Sequence, residues 1–219
     1  MNIFKQFIHT YKQKSVKKYW ENKTNPCMNA ERIFSAAHKA NISLNKVLEF
    51  GCSWGGNLKY FMDKIPSLGA VGVDINRDCL KLAKDYPNFK GVVGDEKMLE
   101  GFGENEFDLA FTVSVLDHIP FDYTVEAAIG QLLRISRYVI LLEPYLEGVA
   151  GDVSGKERDL VKPGLVRGYK KFAPYSYFWN YDAILDANHV VWDKEPMPLH
   201  EASLGPFYHL YTIKGDKEK

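Results

Sequence analysis

The 219-residue chain has few cysteines, no excess of either charge and no apolar run of membrane-spanning length. Lysine plus arginine and aspartate plus glutamate number 28 each, so no net charge attracts nucleic acid. Cys27, Cys52 and Cys79 are widely spaced and form no CxxC pair, which argues against a metal site or a disulfide framework. The chain also begins without the continuous apolar core of a signal peptide. These absences predict a cytoplasmic protein without a metal.

The most informative segment is an apolar run that breaks into a glycine-rich turn and then a helical pattern, at residues 47–65. The run 47–50 reads as a buried strand, and Gly51 and Gly55 let the backbone approach a ligand where a Cβ would clash. The following helix begins with free N–H groups that suit a carboxylate or a phosphate. A strand, a tight loop and a helix in this order predict a site for a nucleotide-like cofactor.

Six further segments read as strands, at residues 70–76, 89–93, 107–113, 138–142, 190–194 and 207–214. Most are separated by helical patterns, and polar side chains follow the carboxyl end of each of the first five strands. The alternation predicts an α/β fold with a doubly wound, seven-stranded, mostly parallel sheet and an antiparallel last strand. In such a sheet, ligands bind at the carboxyl ends of the strands.

Two cofactor classes compete for this architecture. A dinucleotide needs the pattern G-x-G-x-x-G, and here Ser53 stands where its second glycine closes on the pyrophosphate. S-adenosylmethionine carries no phosphate, and Glu49 suits its cationic methionine end. Asp74, at the end of the second strand, is placed to accept hydrogen bonds from two ribose hydroxyls. The residues therefore favour S-adenosylmethionine over a nicotinamide or flavin.

The segments 49–55, 73–74, 94–95 and 107–109 together resemble the successive motifs of class I S-adenosylmethionine-dependent methyltransferases. The resemblance implies that Glu49 and Gly51 hold the methionine part, Asp74 the ribose and Asp95 the adenine amino group. The family usually has glycine in place of Ser53. A second similarity, in 51–58, is to methylases of bacterial surface-sugar biosynthesis. The predicted cofactor residues are Glu49, Phe50, Gly51, Cys52, Ser53, Gly55, Asn57, Asp74, Ile75, Asn76, Gly94, Asp95, Glu96, Thr112, Val113 and Trp20.

Asp117 and His118 follow the fourth strand, where the resemblance places the sulfonium, and His118 is a candidate general base near neutral pH. The same histidine could instead cap a turn or line the cofactor pocket. His200, on a loop before the last strand, is a second candidate. The predicted substrate-binding residues follow the fifth strand and extend into a basic segment: Glu143, Tyr145, Arg158, Arg167 and Lys170. That segment could equally be a solvated surface.

The chain is predicted to contain an N-terminal helical cap at 1–40 and a cofactor-binding domain at 41–219, with 145–177 as a substrate-side lid. The basic, amphipathic start of the cap could cover the cofactor or make a weak peripheral contact with a membrane. We therefore expect a methyltransferase that acts on a small polar or sugar-like, possibly anionic acceptor, with oxygen favoured over nitrogen. The alternatives are an RNA or protein N-methyltransferase, a dinucleotide-dependent oxidoreductase and a non-catalytic binding module.

Overall fold

A computed structural model describes residues 29–119, 122–144, 179–196 and 208–215. Four α-helices lie in these ranges: α1 (Ala30–Lys39), α2 (Gly56–Lys64), α3 (Asp122–Ile135) and α4 (Tyr181–Ala187). The seven strands are β1 (Lys46–Phe50), β2 (Gly69–Asp74), β3 (Phe89–Val93), β4 (Phe107–Val113), β5 (Ser136–Pro144), β6 (Val191–Pro196) and β7 (Tyr208–Lys214). Short 3₁₀ turns follow β2, β3 and β4.

All seven strands form one sheet with the order β3-β2-β1-β4-β5-β7-β6. Strands β1 to β5 are parallel where they pair, and β7 is antiparallel to both β5 and β6. This arrangement confirms the predicted α/β fold and its antiparallel last strand. Because β1 to β5 run in one direction, their carboxyl ends meet at one side of the sheet, which we call the carboxyl edge.

The connections on one side of β1 differ from the predicted alternation of strands and helices. The chain between β2 and β3 forms two 3₁₀ turns, Arg77–Leu80 and Leu82–Lys84, and the chain between β3 and β4 forms a third, Glu96–Gly101. At Gly91 of β3 a Cβ would lie 2.4 Å from the carbonyl oxygen of Cys79, so the first turn lies directly on the edge strand. This close approach requires the glycine.

Each face of the sheet carries its own hydrophobic core. Helices α1 and α2 cover one face, where Phe61 stacks on Phe111 with 5.5 Å between ring centroids and meets the edge of Phe34 at 5.1 Å. Helices α3 and α4 cover the other face, where the core includes Tyr181 of α4 and Trp179 just before it. Strands β1, β2, β4 and β5 are buried on both faces, which explains why they read in the sequence as continuous apolar runs.

The start of β1 is fixed to its neighbour β4. The side chain of Asp108 accepts hydrogen bonds from the backbone N–H groups of Asn45 and Lys46 through one oxygen, at 2.8 and 2.9 Å. Strand β1 is thereby held in register at the end opposite to its glycine-rich turn. None of the described helices is long and apolar enough to span a membrane.

The predicted domain boundaries fall partly outside the described ranges. Helix α1 corresponds to the second half of the predicted cap, whereas residues 1–28 and the predicted lid at 145–177 lie outside the described part of the chain. The cap and the lid stay predictions.

Candidate functional site

The turn after β1, which we call the glycine loop (residues 51–55), folds back onto β2. The N–H groups of Gly51 and Cys52 both donate to the carbonyl oxygen of Val73, at 2.7 and 3.2 Å. Gly51 has φ +80°, and a Cβ there would lie 2.1 Å from Val115 Cγ2. Gly55 has φ +88° and directly precedes α2. Both positions therefore require glycine, as the sequence predicted.

Ser53 occupies the position at which the sequence departs from the resembled family. Its φ is +51°, the left-handed conformation that a glycine adopts at lower cost. The N–H of Ser53 donates to Asp74 Oδ2 at 2.7 Å, and this charge-assisted hydrogen bond offsets the conformational cost. Ser53 Oγ is buried and has no hydrogen-bond partner within the described ranges. The backbone of the loop therefore follows the path that a glycine at position 53 would take.

Glu49 is buried beneath the glycine loop, with 2% of its surface exposed. Its Oε1 accepts a hydrogen bond from Asn57 Nδ2 at 2.6 Å, whereas Oε2 is buried without a hydrogen-bond partner among the residues described. Burial raises the pKa of Glu49 to about 8, and the hydrogen bond from Asn57 opposes that rise. A buried carboxyl oxygen without a donor suits a cationic ligand group.

Asp74 ends β2 and joins three segments of the carboxyl edge. Its Oδ1 accepts from the N–H of Asn76 at 2.7 Å, and its backbone oxygen accepts from the N–H of Gly94 at 2.8 Å. Burial raises the pKa of Asp74, and the N–H groups of Asn76 and Ser53 oppose this effect. Each carboxylate oxygen has a second lone pair, so Asp74 can hold the loop and still accept from a ligand.

The adjacent turn after β3 carries the second predicted acid. Asp95 begins the 3₁₀ turn there and accepts from the N–H of Lys97 through Oδ1 at 3.2 Å. Glu96 is half-buried, and burial raises its pKa. A Cβ on Gly94 would lie 2.1 Å from Met98 Cγ, so this turn also approaches its own strand closely.

Asp117 and His118 lie at the end of β4, across the glycine loop from Asp74. Asp117 is buried and His118 is half-buried, with 3.6 Å between Asp117 Oδ2 and His118 Nδ1. A carboxylate beside one imidazole nitrogen orients the ring and stabilises its protonated form. This arrangement fits the predicted pair of catalytic candidates.

Several predicted site residues have side chains that are buried in the protein. Phe50 packs in the core on the α3 and α4 side, and Cys52 is buried so close to Gly72 that a Cβ there would meet its Sγ at 2.5 Å. Thr112 is fully buried. Glu143 is also fully buried, and backbone N–H groups occupy both of its oxygens, which corrects its prediction as a direct substrate contact.

The remaining predictions divide into residues at the carboxyl edge and residues outside the described ranges. Ile75 and Val113 are half-buried at the ends of β2 and β4, and Asn76 is buried, where its side chain caps the following turn. The structure does not describe Trp20, Tyr145, Arg158, Arg167, Lys170 or His200.

Sequence reasoning missed a second group of residues, which surrounds the turn between β4 and α3. Trp179 donates through Nε1 to the carbonyl oxygen of Leu116 at 2.9 Å, and the hydroxyls of Tyr208 and Ser114 lie 2.9 Å apart. These contacts join segments 63 and 94 residues apart in the chain. No local pattern in the sequence signals them.

The geometry of the glycine loop and the acids at the carboxyl edge agrees with a match in sequence. Residues 47–137 match a family model described as a methyltransferase domain. This part of the chain is similar to the class I S-adenosylmethionine-dependent methyltransferase superfamily. S-adenosylmethionine is the cofactor of this superfamily, and the site fits it: one acidic oxygen of Glu49 has no donor within the described part of the chain, and each carboxylate oxygen of Asp74 has a second lone pair for a ribose hydroxyl.

The relatives of this methyltransferase are named for methyl transfer to different acceptor atoms. A ubiquinone biosynthesis O-methyltransferase from Nitrosococcus oceani is 27% identical over 114 residues, which cover 49% of this chain and 47% of that protein. The chain thus spans about half the length of this curated relative.

Solved structures share the fold at low sequence identity. A 1,6-didemethyltoxoflavin-N1-methyltransferase from Burkholderia thailandensis, solved with S-adenosylhomocysteine, has a TM-score of 0.62 and 16% identity, over 96% of this chain and 85% of that one. The CurJ carbon methyltransferase has a TM-score of 0.56 and 14% identity, over 84% and 52% of the two chains. The fold is therefore compatible with oxygen, nitrogen and carbon acceptors. The described residues contain no cluster of side chains suited to a metal ion.

The raised pKa of Glu49 predicts how stability depends on pH. Between the ordinary pKa of a glutamate (about 4.3) and about 8, the folded protein binds more protons than the unfolded chain, so stability falls as pH rises through this window. Glu49→Gln removes this contribution, and we expect urea unfolding to show a flatter decline between about pH 5 and 8. The exposed Glu104→Gln is the matched control, and an unchanged slope in Glu49→Gln would contradict the assignment.

Proposed function

We propose that this methyltransferase acts on an oxygen of a small polar acceptor and that His118 is its general base. The observation that carries the proposal is the Asp117–His118 pair, which lies at the carboxyl edge beside the cofactor loop. The O-methyltransferase activity of the curated relative supports the choice of oxygen. S-adenosylmethionine, when bound, supplies an activated methyl group on a sulfonium, which is already a good leaving group.

In this proposal, the residues of the first half of the sheet bind the cofactor. Glu49 pairs with the amino group of the methionine part, and Asp74 accepts from the ribose hydroxyls. Asp95, in the turn after the neighbouring strand, accepts from the adenine amino group. The three acids lie at or just beyond the carboxyl ends of the adjacent strands β1, β2 and β3, so one extended ligand can contact all three.

The residues after β4 act on the acceptor. A hydroxyl becomes a competent nucleophile when its proton is removed as the new bond forms, and an imidazole performs this step near neutral pH. His118 is half-buried and so remains accessible, while Asp117 behind it stabilises the imidazolium that results. An acceptor with a free hydroxyl makes full use of this pair, whereas an amine that is already neutral attacks without a base.

We also propose that residues 1–40 include a cap over the cofactor and that 145–177 recognise the acceptor. The basic composition of the second segment, with Arg158, Arg167 and Lys170, suits a carboxylate or phosphate on the acceptor. Tyr145 and His200 belong to the same proposal.

Asp74→Asn is expected to weaken both S-adenosylmethionine and S-adenosylhomocysteine about tenfold to a hundredfold. The two ligands share the ribose, and a hydrogen bond to a charged group contributes about 1.5–3 kcal/mol. Calorimetric titration of both ligands checks this. Asp78→Asn, on the 3₁₀ turn that follows, is the matched control, and wild-type affinity in Asp74→Asn would remove Asp74 from the site.

Cofactor binding is expected to release close to one proton per protein at pH 7. Without ligand, burial keeps Glu49 mostly protonated at pH 7, and a cationic amino group beside it favours the carboxylate. Titration of S-adenosylhomocysteine in buffers of different ionisation enthalpy measures the released proton. Glu49→Gln should abolish the buffer dependence, and an equal release by the variant would assign the proton to another group.

His118→Gln is expected to slow methyl transfer to a hydroxyl acceptor about a hundredfold to ten-thousandfold, with cofactor affinity unchanged. Labelled S-adenosylmethionine incubated with a metabolite extract identifies the acceptor and provides the assay. His38→Gln, on the surface helix α1, is the control. Transfer to an amine, or full activity of His118→Gln with the acceptor found, would overturn the proposal of base-assisted O-methylation.

A further inference from the structure

The turn at residues 114–118, which we call the β4 turn, separates the cofactor loop from the second half of the sheet. It begins at Ser114, whose φ of +52° is rare for a residue with a side chain, and it ends in the 3₁₀ turn Leu116–His118. Val115 lies directly against Gly51, where an added Cβ would meet both of its methyl groups. The path of this turn therefore fixes one wall of the glycine loop and the position of His118 together.

A single buried carboxyl group takes up the backbone N–H groups of this turn. Glu143, at the end of β5, has no exposed surface. Both of its oxygens lie 3.1 Å from the N–H nitrogen of Val115, and Oε2 lies 3.2 Å from that of Leu116. Without this acceptor, N–H groups in a buried turn would be left unsatisfied, which proteins avoid.

Two other side chains hold the turn from different directions. Trp179, just before α4, donates to the carbonyl oxygen of Leu116, and the Tyr208 hydroxyl of β7 bonds to the Ser114 hydroxyl, each at 2.9 Å. Of the three anchors, only Glu143 binds the part of the turn that contacts the glycine loop.

We propose that Glu143 is a positioning residue that holds the β4 turn so that Val115 supports the cofactor loop and Asp117 stands behind His118. The part of this proposal that concerns His118 rests on the proposed function. The part that concerns the cofactor loop stands on the contacts between Glu143, Val115 and Gly51.

The titratable groups around Glu143 allow the proposal to be tested by varying the pH. The titratable groups around it are Asp117 of the turn, Tyr181 of α4, and Tyr208 and His209 of β7, of which His209 is its cross-strand partner. Burial and the neighbouring charge of Asp117 raise the pKa of Glu143 to about 8. Two adjacent buried carboxyl groups do not both ionise readily, so the ionisation of Glu143 depends on the charge of Asp117.

The test is a pH titration of the Val115 and Leu116 backbone amides by NMR, combined with calorimetric titration of S-adenosylhomocysteine. In the wild-type protein, both amide shifts should move together as Glu143 ionises. Glu143→Gln retains the size and one acceptor oxygen but cannot ionise, so this transition should vanish. Its affinity for S-adenosylhomocysteine should fall about twofold to tenfold, the effect of losing one hydrogen bond.

Asp117→Asn provides the second variant. It removes the charge beside Glu143, so the midpoint of the amide transition should shift to lower pH. This variant tests the proposal even if Glu143→Gln fails to fold. The exposed Glu100→Gln should leave both amide shifts and affinity unchanged.

Amide transitions that survive in Glu143→Gln, or a midpoint that Asp117→Asn does not lower, would overturn the positioning role. Wild-type affinity of Glu143→Gln for S-adenosylhomocysteine would overturn its link to the cofactor loop. A protein that shows these titrations but methylates no hydroxyl supports the role of Glu143 while contradicting the proposed function.

Discussion

The hydrogen bond from the Ser53 N–H to the Asp74 carboxylate is the interaction on which the cofactor site depends. It joins the glycine loop to the end of β2, and it holds Ser53 in a left-handed conformation that its side chain disfavours. The same carboxylate accepts from the N–H of Asn76, so Asp74 holds both the glycine loop after β1 and the turn after β2. The backbone of the glycine loop is thus bound to the same acid that we propose for the ribose.

A second constraint is the burial of two acids on opposite faces of the sheet. Glu49 lies on the α1 and α2 side and Glu143 on the α3 and α4 side, and burial raises the pKa of each to about 8. Glu49 accepts a hydrogen bond from Asn57 in the helix that follows β1, and Glu143 accepts from the backbone of the turn that follows β4. They differ in one respect: among the residues that the structure describes, one oxygen of Glu49 has no hydrogen-bond partner, whereas backbone N–H groups bind both oxygens of Glu143. Glu49 can therefore bind a ligand through that oxygen, whereas both oxygens of Glu143 already bind the backbone of the β4 turn.

The sequence predicted those features that arise from local patterns. All seven strands were predicted from the sequence, and the central parallel strands gave the clearest signal because they are continuous apolar runs covered on both faces. Asp74 and Asp95 were chosen as site residues because they follow such runs, and their roles stay predictions. The 3₁₀ turns after β2 were not foreseen, since the close approach of the Cys79 carbonyl to Gly91 is a tertiary contact. The role of Glu143 was missed for a similar reason: its partners Val115 and Leu116 are 28 and 27 residues away, and its position after a strand resembles that of a ligand-binding acid.

The division between the two halves of the sheet also bears on the proposed acceptor site. The loop and acids that suit the cofactor lie between residues 49 and 96, within the matched methyltransferase domain. Solved structures named for transfer to nitrogen and to carbon share this fold, so the fold alone does not specify the acceptor. In our proposal, His118 of the β4 turn acts on the acceptor, and Trp179 before α4 and Tyr208 on β7 anchor this turn. Because the same turn supports the glycine loop through Val115, a displaced anchor would affect His118 and the cofactor loop together.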